Sequence, residues 1–465
     1  MIRLLQHVIA PRAASGWLWA GILVLLLAAC GGLEAPPLAD NGIPTSGSEH
    51  AYIASVEIDA GADRAAIASA YGGEVVVWRP EAGFAIIGLP DEASTLGRPD
   101  HTPGARPTLP APANAARNVD AFFVPALDAA HVQGVNAWAG GVSAWAGGVS
   151  AWAGGVSNPF PGNEATWSQI NLGQAQDVAT KRGAGITVAV IDTGIDVNHV
   201  GFVGRLSPSG TWLDLVDGDL NPHEGYVVAC TRFRGKNCIE SGPVKTGDGI
   251  FFGHGTAVAG VVLQAAPNAT VLPIRVLSSH GFGSATNVAI AIDHAVARGA
   301  NVINLSLGTF EPVPAIDQMV AFAQSRGVIV VAASGNSGDT NVMYPAATAA
   351  RADFPLAISV GSVDATDRRS WFSTYGSGLE MVAPGEGVTT LYPGDAMAIA
   401  YGTSFSAPWV SGVAALALGD GARPNTAPSV VDASVNINGS NPGMNGLLGK
   451  GRLDSLAAVS AALGR

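Results

Sequence analysis

Apolar runs of strand length alternate with longer segments of helical periodicity from residue 167 to the end of the chain. The apolar runs include "ITVAVI", "TVLPIRV", "NVINLSL" and "VIVVAAS", and the helical segments include "ATNVAIAIDHAVARG" and "AIDQMVAFAQSRG". Strands that are apolar at nearly every position are typical of parallel sheets covered on both faces. The pattern therefore predicts an α/β fold, with a doubly wound, mostly parallel sheet and helices on both faces.

A smaller α+β unit is predicted for residues 50–127. Its pattern is a strand ("AYIASVEI"), a helix that stops at glycine ("ADRAAIASAYGG") and two more strands ("EVVVWRP" and "FAIIGLP"). Residues 98–117 are too rich in proline for regular structure, and "VDAFFVPAL" is the predicted last strand of the unit. A unit of this size is able to fold alone.

Three copies of "AWAGGVS" stand in tandem at residues 137–157, inside a predicted linker that spans residues 128–166. The copies are too few and too short for a solenoid, and the Gly-Gly pair in each copy opposes helix and weakens strand. Two interpretations stay open. The repeat is either a neutral expansion in a tolerant loop or a segment whose tryptophans bind a partner.

The start of the chain predicts an export signal rather than part of a fold. A basic beginning, the apolar run "GILVLLLAA" and small residues after it are typical of a signal peptide, here residues 1–29. A membrane-spanning helix is the alternative, because the run approaches the length of about 20 residues that a span needs. The ending "LAAC" resembles the lipobox of bacterial lipoproteins, which implies that Cys30 carries lipid and becomes the mature N-terminus. Residues 30–49 would then be a spacer from a cell-envelope anchor, and Gly31, where inner-membrane lipoproteins typically have Asp, is compatible with the outer membrane.

Charge and cysteine content narrow the classes of function. The formal net charge is −12 and 13% of the residues are charged, so the chain lacks the basic balance of nucleic-acid-binding proteins. Of its three cysteines, Cys230 and Cys238 remain as a pair once Cys30 is assigned to lipid. In an oxidising compartment a disulfide across "CTRFRGKNC" is the favoured interpretation. A metal site is the alternative, but it needs more ligands than the nearby His223 supplies.

Three polar residues stand at a strand end or at helix starts within the larger domain, residues 167–465. Asp192 follows a strand in "VIDTGID", His254 begins a helix in "GHGTAVAG", and Ser404 begins another in "GTSFSAP". Each has a structural alternative: an aspartate in a turn, a histidine at a helix start, and a capping serine. Together they are an acid, a base and a nucleophile. A serine hydroxyl becomes a good nucleophile when an imidazole takes its proton, and a carboxylate orients that imidazole.

In these three motifs and in their order the chain resembles the subtilisin-like serine peptidases. The resemblance runs from about residue 167 to the closing segment "GKGRLDSLAAV". It implies a serine endopeptidase that hydrolyses polypeptides through an acyl-enzyme, with Asp192, His254 and Ser404 as its triad. It also implies that residues 50–127 are an inhibitory propeptide. The zymogen would cut itself within about residues 128–166, which would detach the peptidase domain from its lipid anchor.

Two further segments match the same family. "VVAASGNSG" matches its oxyanion block, which implies that Asn336 donates to the tetrahedral oxyanion together with the backbone N–H of Ser404. "NLSLG" matches the strand that pairs with the substrate backbone, which implies that Ser306, Leu307 and Gly308 bind substrate.

The specificity pocket is less defined. The family often has a second glycine where this chain has Thr309, so the sequence does not define the shape of the pocket wall. The residue after Asn336 is Ser337 rather than an acid, which favours apolar or uncharged residues before the cut.

Other residues are not expected to join this chemistry. His199, in "DVNHVGF", is near Asp192 in sequence, but the family has a non-catalytic histidine there; His280 and His294 lie in no matching motif. Residues 205–250 are longer than the corresponding part of compact family members and are interpreted as a surface insertion held by the disulfide. No cofactor is required for catalysis. The calcium sites of the family do not map onto the sequence, so metal content stays open.

Three other functions are alternatives to a subtilisin-like peptidase. A lipid-anchored surface-binding protein would use the peptidase fold as a scaffold, because fold does not dictate activity. An acid peptidase of the related serine–glutamate–aspartate type is disfavoured by the histidine in "GHGT". A zinc peptidase is disfavoured because "HEGYV" lacks the second histidine of HExxH. The expected partners are polypeptide substrates, the chain's own propeptide and a membrane, with no nucleic acid and a monomeric state.

Overall fold

The computed structural model describes residues 50–90, 116–117, 120–122, 134–138, 162–234, 237–245 and 251–465. Of residues 116–117, 120–122, 134–138, 226–234 and 237–245 it describes the backbone alone. The predicted signal peptide, Cys30, the spacer and the second and third copies of the repeat lie outside the described residues. No helix in the described part of the chain is both long enough and apolar enough to cross a membrane.

The N-terminal part of the described chain forms a small four-stranded antiparallel sheet with one helix. Its strands follow the order β2-β3-β1-β4, and the helix α1 begins after the capping residue Asp63 and ends at Gly72 in the left-handed conformation. The elements are β1 (Tyr52–Glu57), α1 (Arg64–Tyr71), β2 (Glu74–Arg79), β3 (Phe84–Leu89) and β4 (Ala116–Arg117). The predicted strand–helix–strand–strand pattern is therefore present.

The last strand of this unit is not the predicted one. "VDAFFVPAL" was expected to complete the sheet, but the two residues of β4 pair with β1 at that edge. Strand β5 (Asp120–Phe122) instead pairs antiparallel with residues 282–284 of the larger domain. Because the edge of β1 is already filled, the chain leaves the small sheet before "VDAFFVPAL" begins to pair.

The rest of the described chain is built from alternating strands and helices. The strands are β6 (Gly134–Trp138), β7 (Thr187–Asp192), β8 (Leu213–Asp214), β9 (Tyr226–Arg234), β10 (Asn237–Lys245), β11 (Thr270–Arg275), β12 (Phe282–Ser284), β13 (Val302–Leu305), β14 (Ile329–Ala333), β15 (Ala357–Val363), β16 (Met381–Pro384), β17 (Val388–Tyr392) and β18 (Ala396–Tyr401). The helices are α2 (Glu164–Gln169), α3 (Leu172–Val178), α4 (His254–Ala265), α5 (Ala285–Ala297), α6 (Pro314–Ser325), α7 (Ala346–Ala349), α8 (Thr403–Gly419), α9 (Ala427–Asp432) and α10 (Ser455–Leu463).

A seven-stranded parallel sheet forms the centre of the larger domain, in the order β16-β15-β14-β13-β7-β11-β8. Alternate residues of β7 enter two different cores: Val188 and Val190 pack with helices α4 and α8, whereas Ala189 and Ile191 pack with α5 and α6. Burial on both faces explains why the strands are apolar at nearly every position. The predicted doubly wound α/β fold is confirmed.

The chain changes direction across the sheet next to β7. Strands β11 and β13 both pair with β7, one on each side, so successive crossovers diverge at this strand. In open parallel sheets the crevice at such a point, outside the carboxyl ends of the strands, is where sites form. Asp192 is the last residue of β7 and lies at that end.

The predicted insertion forms a two-stranded antiparallel hairpin, β9–β10. In its register Cys230 pairs with Ser241, and Cys238 pairs with Phe233. The two cysteines are therefore offset along the ladder by about 10 Å, at roughly 3.3 Å per residue. A disulfide needs Cα atoms about 4.4–6.8 Å apart. This register does not support the predicted bond, which stays a prediction that requires the strands to shift.

Part of the predicted linker belongs to a sheet. Strand β6, which includes the first two residues of the first "AWAGGVS" copy, pairs antiparallel with β18. Strand β17 lies on the other side of β18 and completes a three-stranded sheet. The linker predicted over residues 128–166 therefore contains regular structure. Strand β18, from a distant part of the chain, supplies the backbone hydrogen-bond partners of β6.

Candidate active site

Asp192 and His254 form a buried hydrogen-bonded pair. Nδ1 of His254 lies 2.8 Å from Oδ1 of Asp192, and the N–H of Thr193 donates to the same oxygen at 2.7 Å. Both side chains are almost fully buried, so water does not compete for this contact. The structure therefore brings the predicted acid and base together. The carboxylate contacts Nδ1 of the imidazole, which is the nitrogen that an orienting carboxylate binds in a catalytic triad.

Glycines allow the strand end and the helix start to approach so closely. His254 is the first residue of α4, and Gly253 before it has a φ of 85°. A Cβ on Gly255 would lie 2.1 Å from the carbonyl oxygen of Gly194 and 3.1 Å from Cβ of Asp192. Only a residue without a side chain fits at position 255, which explains the glycine that follows the histidine in "GHGT".

Ser404 lies beside this pair at the start of α8. The ring of Phe405, its neighbour in the chain, has its centroid 5.3 Å from the His254 ring. The N-cap of α8 is Gly402, and Ser404 is its second helical residue, so the structural alternative of a capping serine is wrong. The hydroxyl of Ser404 donates to the carbonyl of Ser306 at 3.2 Å, and the hydroxyl of Ser306 donates to the carbonyl of Ser404 at 2.8 Å. These two bonds fix the start of α8 against the segment after β13.

Two hydrogen-bond donors flank one small space next to Ser404. Oδ1 of Asn336 accepts from both the N–H and the hydroxyl of Thr403, each at 2.9 Å, which orients the side-chain amide. Gly402 has a φ of 140°, and a Cβ there would lie 3.4 Å from Nδ2 of Asn336 and 3.7 Å from the backbone N of Ser404. The two nitrogens and Oδ1 of Asn336, at 3.8 Å, therefore lie within 4 Å of one point, which the missing side chain of Gly402 leaves unfilled. Such a space suits a developing oxyanion.

The predicted substrate-binding residues follow β13 directly. Ser306 is held by Ser404, and Thr309 pairs through both backbone groups with Tyr344, each bond 2.9 Å long. A Cβ on Gly308 would lie 2.9 Å from the Tyr344 carbonyl oxygen. Ser306, Leu307 and Gly308 thus form a short segment anchored at both ends beside Ser404.

Two other histidines, His199 and His294, make contacts away from the pair. Nδ1 of His199 accepts from the N–H of Gly201 at 2.9 Å, and its Nε2 lies 3.2 Å from the carbonyl oxygen of Ala396. Burial lowers the pKa of His199. Burial also lowers the pKa of His294 to about 4, and its Nε2 lies 2.7 Å from the carbonyl oxygen of Thr211. The His199 ring connects the segment after β7 to β18, and the His294 ring connects α5 to the loop before β8.

Glu224 is next to the pair and was missed by the sequence analysis. It is 1% exposed, and its Oε2 accepts a short hydrogen bond from the hydroxyl of Thr193. That hydroxyl in turn accepts from the N–H of Gly255 at 3.0 Å. Glu224 lies in "HEGYV", a segment inspected only for a zinc motif and placed in a surface insertion. In the sequence Glu224 is a single acidic residue with no matching motif around it, and this does not indicate that the side chain is buried.

Within the described ranges, no three histidine, cysteine, aspartate or glutamate side chains gather in a way that could hold a metal ion.

The chain is similar to known peptidases over this whole region. A family model described as the subtilase family matches residues 183–451. Thermitase from Thermoactinomyces vulgaris is 35% identical over 291 residues, which cover 63% of this chain and 94% of thermitase. Subtilisin Savinase from Lederbergia lenta is 38% identical over 243 residues, which cover 50% of this chain and 76% of that protein.

A solved structure agrees with the fold. A protease from Pseudoalteromonas arctica superposes with a TM-score of 0.51 at 27% identity, covering 64% of this chain and 97% of that one.

Proposed function

Because the chain belongs to the subtilase family and is a subtilisin-like serine peptidase, we propose that Asp192, His254 and Ser404 are its catalytic triad. The observation that carries this proposal is the buried 2.8 Å contact between His254 and Asp192, next to a helix start that presents Ser404. An orienting carboxylate, an imidazole and a hydroxyl on three separate elements are the parts that acyl transfer by serine requires.

The reaction follows from the roles of these groups. His254 takes the proton of the Ser404 hydroxyl as it attacks the peptide carbonyl, and Asp192 stabilises the imidazolium that forms. The negative charge on the carbonyl oxygen is stabilised by Nδ2 of Asn336 and the backbone N–H of Ser404. His254 then protonates the leaving amine, and water repeats the sequence on the acyl-enzyme.

The substrate is a polypeptide whose backbone lies along residues 306–308. Met343 packs close to both Gly308 and Gly335: a Cβ on either glycine would come within 3.1 Å or less of its side chain. Met343 is buried. An apolar wall beside the predicted strand supports the preference for apolar or uncharged residues before the cut.

The small N-terminal unit acts as an inhibitor of the same chain. Arg79 at the end of β2 forms two hydrogen bonds with Asp293 of α5, at 2.6 and 2.7 Å. The Phe84 ring packs edge-on against Phe322 of α6, with centroids 5.6 Å apart. These contacts attach the unit to the two helices on one face of the peptidase sheet, and β5 then continues onto β12.

The chain is cut after this inhibitor. Strand β6 begins at Gly134 and pairs with β18, which leads directly into Gly402 and Ser404. A cut within residues 128–133, the N-terminal end of the predicted interval, would release the inhibitor and leave β6 in the sheet. Export by the signal peptide and lipidation of Cys30 would then place the uncut protein in the cell envelope and free the peptidase domain after the cut.

A fluorophosphonate probe tests the central assignment. The processed wild type is expected to be labelled at Ser404, and Ser404→Ala is expected to abolish the label and the self-cleavage. Ser406→Ala is a matched control, because Ser406 is a fully buried serine in the same helix turn. Unchanged labelling or unchanged trimming of Ser404→Ala would contradict the proposal, and an unlabelled processed wild type would support the scaffold alternative. Mass spectrometry of the N-terminus tests the lipid and the site of the cut.

A further inference from the structure

We propose that Glu224 is a positioning residue for the reaction. Through the hydroxyl of Thr193 it holds the end of β7, which carries Asp192, against the first turn of α4, which carries His254. This inference rests on the proposed function of Asp192 and His254, and it concerns how their contact is maintained.

The hydrogen bonds form a continuous path between the two elements. The Thr193 hydroxyl donates to Glu224 and accepts from the N–H of Gly255, so one oxygen connects the carboxyl, the strand end and the helix start. Thr193 is adjacent to Asp192, and Gly255 is adjacent to His254. A shift of Glu224 therefore acts on both catalytic neighbours at once.

The backbone places Glu224 where this bridge is needed. Its N–H donates to the carbonyl of Ile195 at 2.8 Å, and the N–H of Ile195 donates to the carbonyl of Pro222 at 2.9 Å. The root of the insertion is thus paired with the loop after β7, immediately before the hairpin β9–β10 begins. The insertion supplies a side chain to the site, which a purely superficial addition would not do.

Burial favours the neutral form of the Glu224 carboxyl. Burial, the largest effect, raises the pKa of Glu224 well above its ordinary value, and the nearby charge of Asp192 adds to the rise. The Thr193 hydroxyl, the Arg275 charge and the Gly253 N–H oppose it and favour the anion. A neutral acid keeps its hydrogen-bond acceptor without adding a second negative charge next to Asp192. Glutamine has the same shape and the same acceptor but no charge. Glu224→Gln therefore separates the effect of the hydrogen bond from the effect of a negative charge.

The first test compares Glu224→Ala, Glu224→Gln and Glu380→Ala on one peptide substrate, with each full chain allowed to process. We expect Glu224→Ala to lower kcat by about tenfold or more, because small displacements of catalytic groups have effects of this size. KM should stay within about twofold, and the acid limb of the pH–rate profile should shift. Glu224→Gln should keep kcat within about threefold and leave the profile in place. Glu380 is also a largely buried glutamate, but it lies at the start of the edge strand β16 at the other end of the sheet, so its loss should not change kcat.

The second test does not depend on turnover. In the full chain carrying Ser404→Ala, the proton NMR signal of the His254 Nδ1–H reports on the contact with Asp192. Glu224→Ala should move or broaden this signal, whereas Glu224→Gln and Glu380→Ala should not. An inactive wild type would defeat the proposed function and leave this test valid. The positioning role is overturned if Glu224→Ala keeps kcat and the signal, if Glu380→Ala causes the same loss, or if Glu224→Gln is as impaired as alanine.

Discussion

Arg79 and Asp293, 214 positions apart in the chain, form a two-armed ion pair with contacts of 2.6 and 2.7 Å. Their side chains are 10% and 17% exposed. The pair connects the small N-terminal unit to helix α5 in a setting from which most water is excluded. Two parallel N–H···O bonds also fix the direction of approach, because the guanidinium and the carboxylate are both planar. This contact is the strongest candidate for controlling release of the N-terminal unit, the proposed inhibitor.

Removal of one partner should release the inhibitor faster. Arg79→Ala leaves Asp293 buried without its cation, and such losses cost about 3–5 kcal/mol. At about 1.4 kcal/mol per factor of ten, the cleaved segment should dissociate about 100- to 4,000-fold faster. The measurement is the rate at which full activity appears after processing. Glu81→Ala is the matched control in the same interface: its 3.4 Å contact with Arg326 is exposed and should change the rate by no more than about fivefold. Equal effects of the two variants would show that the interface does not depend on the buried pair.

Asn336→Ala should reduce turnover without weakening substrate binding in proportion. In the proposed mechanism the Nδ2 donor stabilises the charge that develops on the carbonyl oxygen, and loss of such a donor costs about 10²–10³ in kcat. The check is a measurement of kcat and KM on a peptide substrate, with Asn341→Ala as the control because Asn341 is exposed. A rise in KM with unchanged kcat would place Asn336 in ground-state binding instead.

Gly255→Ala should impair both folding and activity. The added Cβ would lie 2.1 Å from a backbone oxygen, and neither the strand end nor the helix start can yield without moving Asp192 from His254. We expect a loss of about 3 kcal/mol or more in the free energy of unfolding and little remaining activity. The control is Gly173→Ala in α3, where no heavy atom lies within 4 Å of the new Cβ; it should gain about 0.5–1 kcal/mol. Chemical denaturation of the two glycine variants in the Ser404→Ala chain measures the stability changes, and a peptide-hydrolysis assay with Ser404 intact measures the activity.

Glu380 should make stability depend on pH. Burial is the largest effect and raises the pKa of Glu380 from 4.5 to about 7. The hydrogen bond from the Ser359 N–H to the carboxylate lowers the pKa, and the charge of Asp432 raises it. Because the folded-state pKa is above the unfolded value, the contribution of Glu380 to stability is fully present below pH 4.5 and is lost as the pH rises through about 7.

Glu380→Gln removes this dependence. In the Ser404→Ala chain it should raise the free energy of unfolding by about 1–3 kcal/mol at pH 8 and change it little at pH 5. Denaturant titrations at the two pH values measure the difference. An equal effect at both values would mean that the carboxyl does not titrate in this range.

The sequence predicted the parts of the fold that depend on local pattern. The buried strands around β7 are apolar at most positions because both faces are covered, and that pattern is visible without a structure. Asp192, His254 and Ser404 were found because each stands in a short motif with glycines, and the glycines are needed for close approach.

Features that depend on distant partners could not be predicted. Strands β5 and β6 pair with edges far along the chain. The strand signal of β5 was present in "VDAFFVPAL", but its sequence does not identify β12 as the partner, and β6 enters a Gly-Gly repeat that weakens any strand signal. The spacing of Cys230 and Cys238 suggested a bond, but the register of the hairpin decides which residues face each other. Glu224 acquires its role only because Thr193 and Gly255 meet in the folded chain.

The reciprocal bonds between Ser306 and Ser404 have a consequence for the timing of synthesis. The nucleophile is held by a strand made about a hundred residues earlier, and α8 enters the core only when most of the polypeptide has left the ribosome. A nascent fragment that ends before this helix has neither the hydroxyl nor the cavity beside it. With Ser404 as the proposed nucleophile, the order of translation therefore delays peptidase activity until most of the chain has been made.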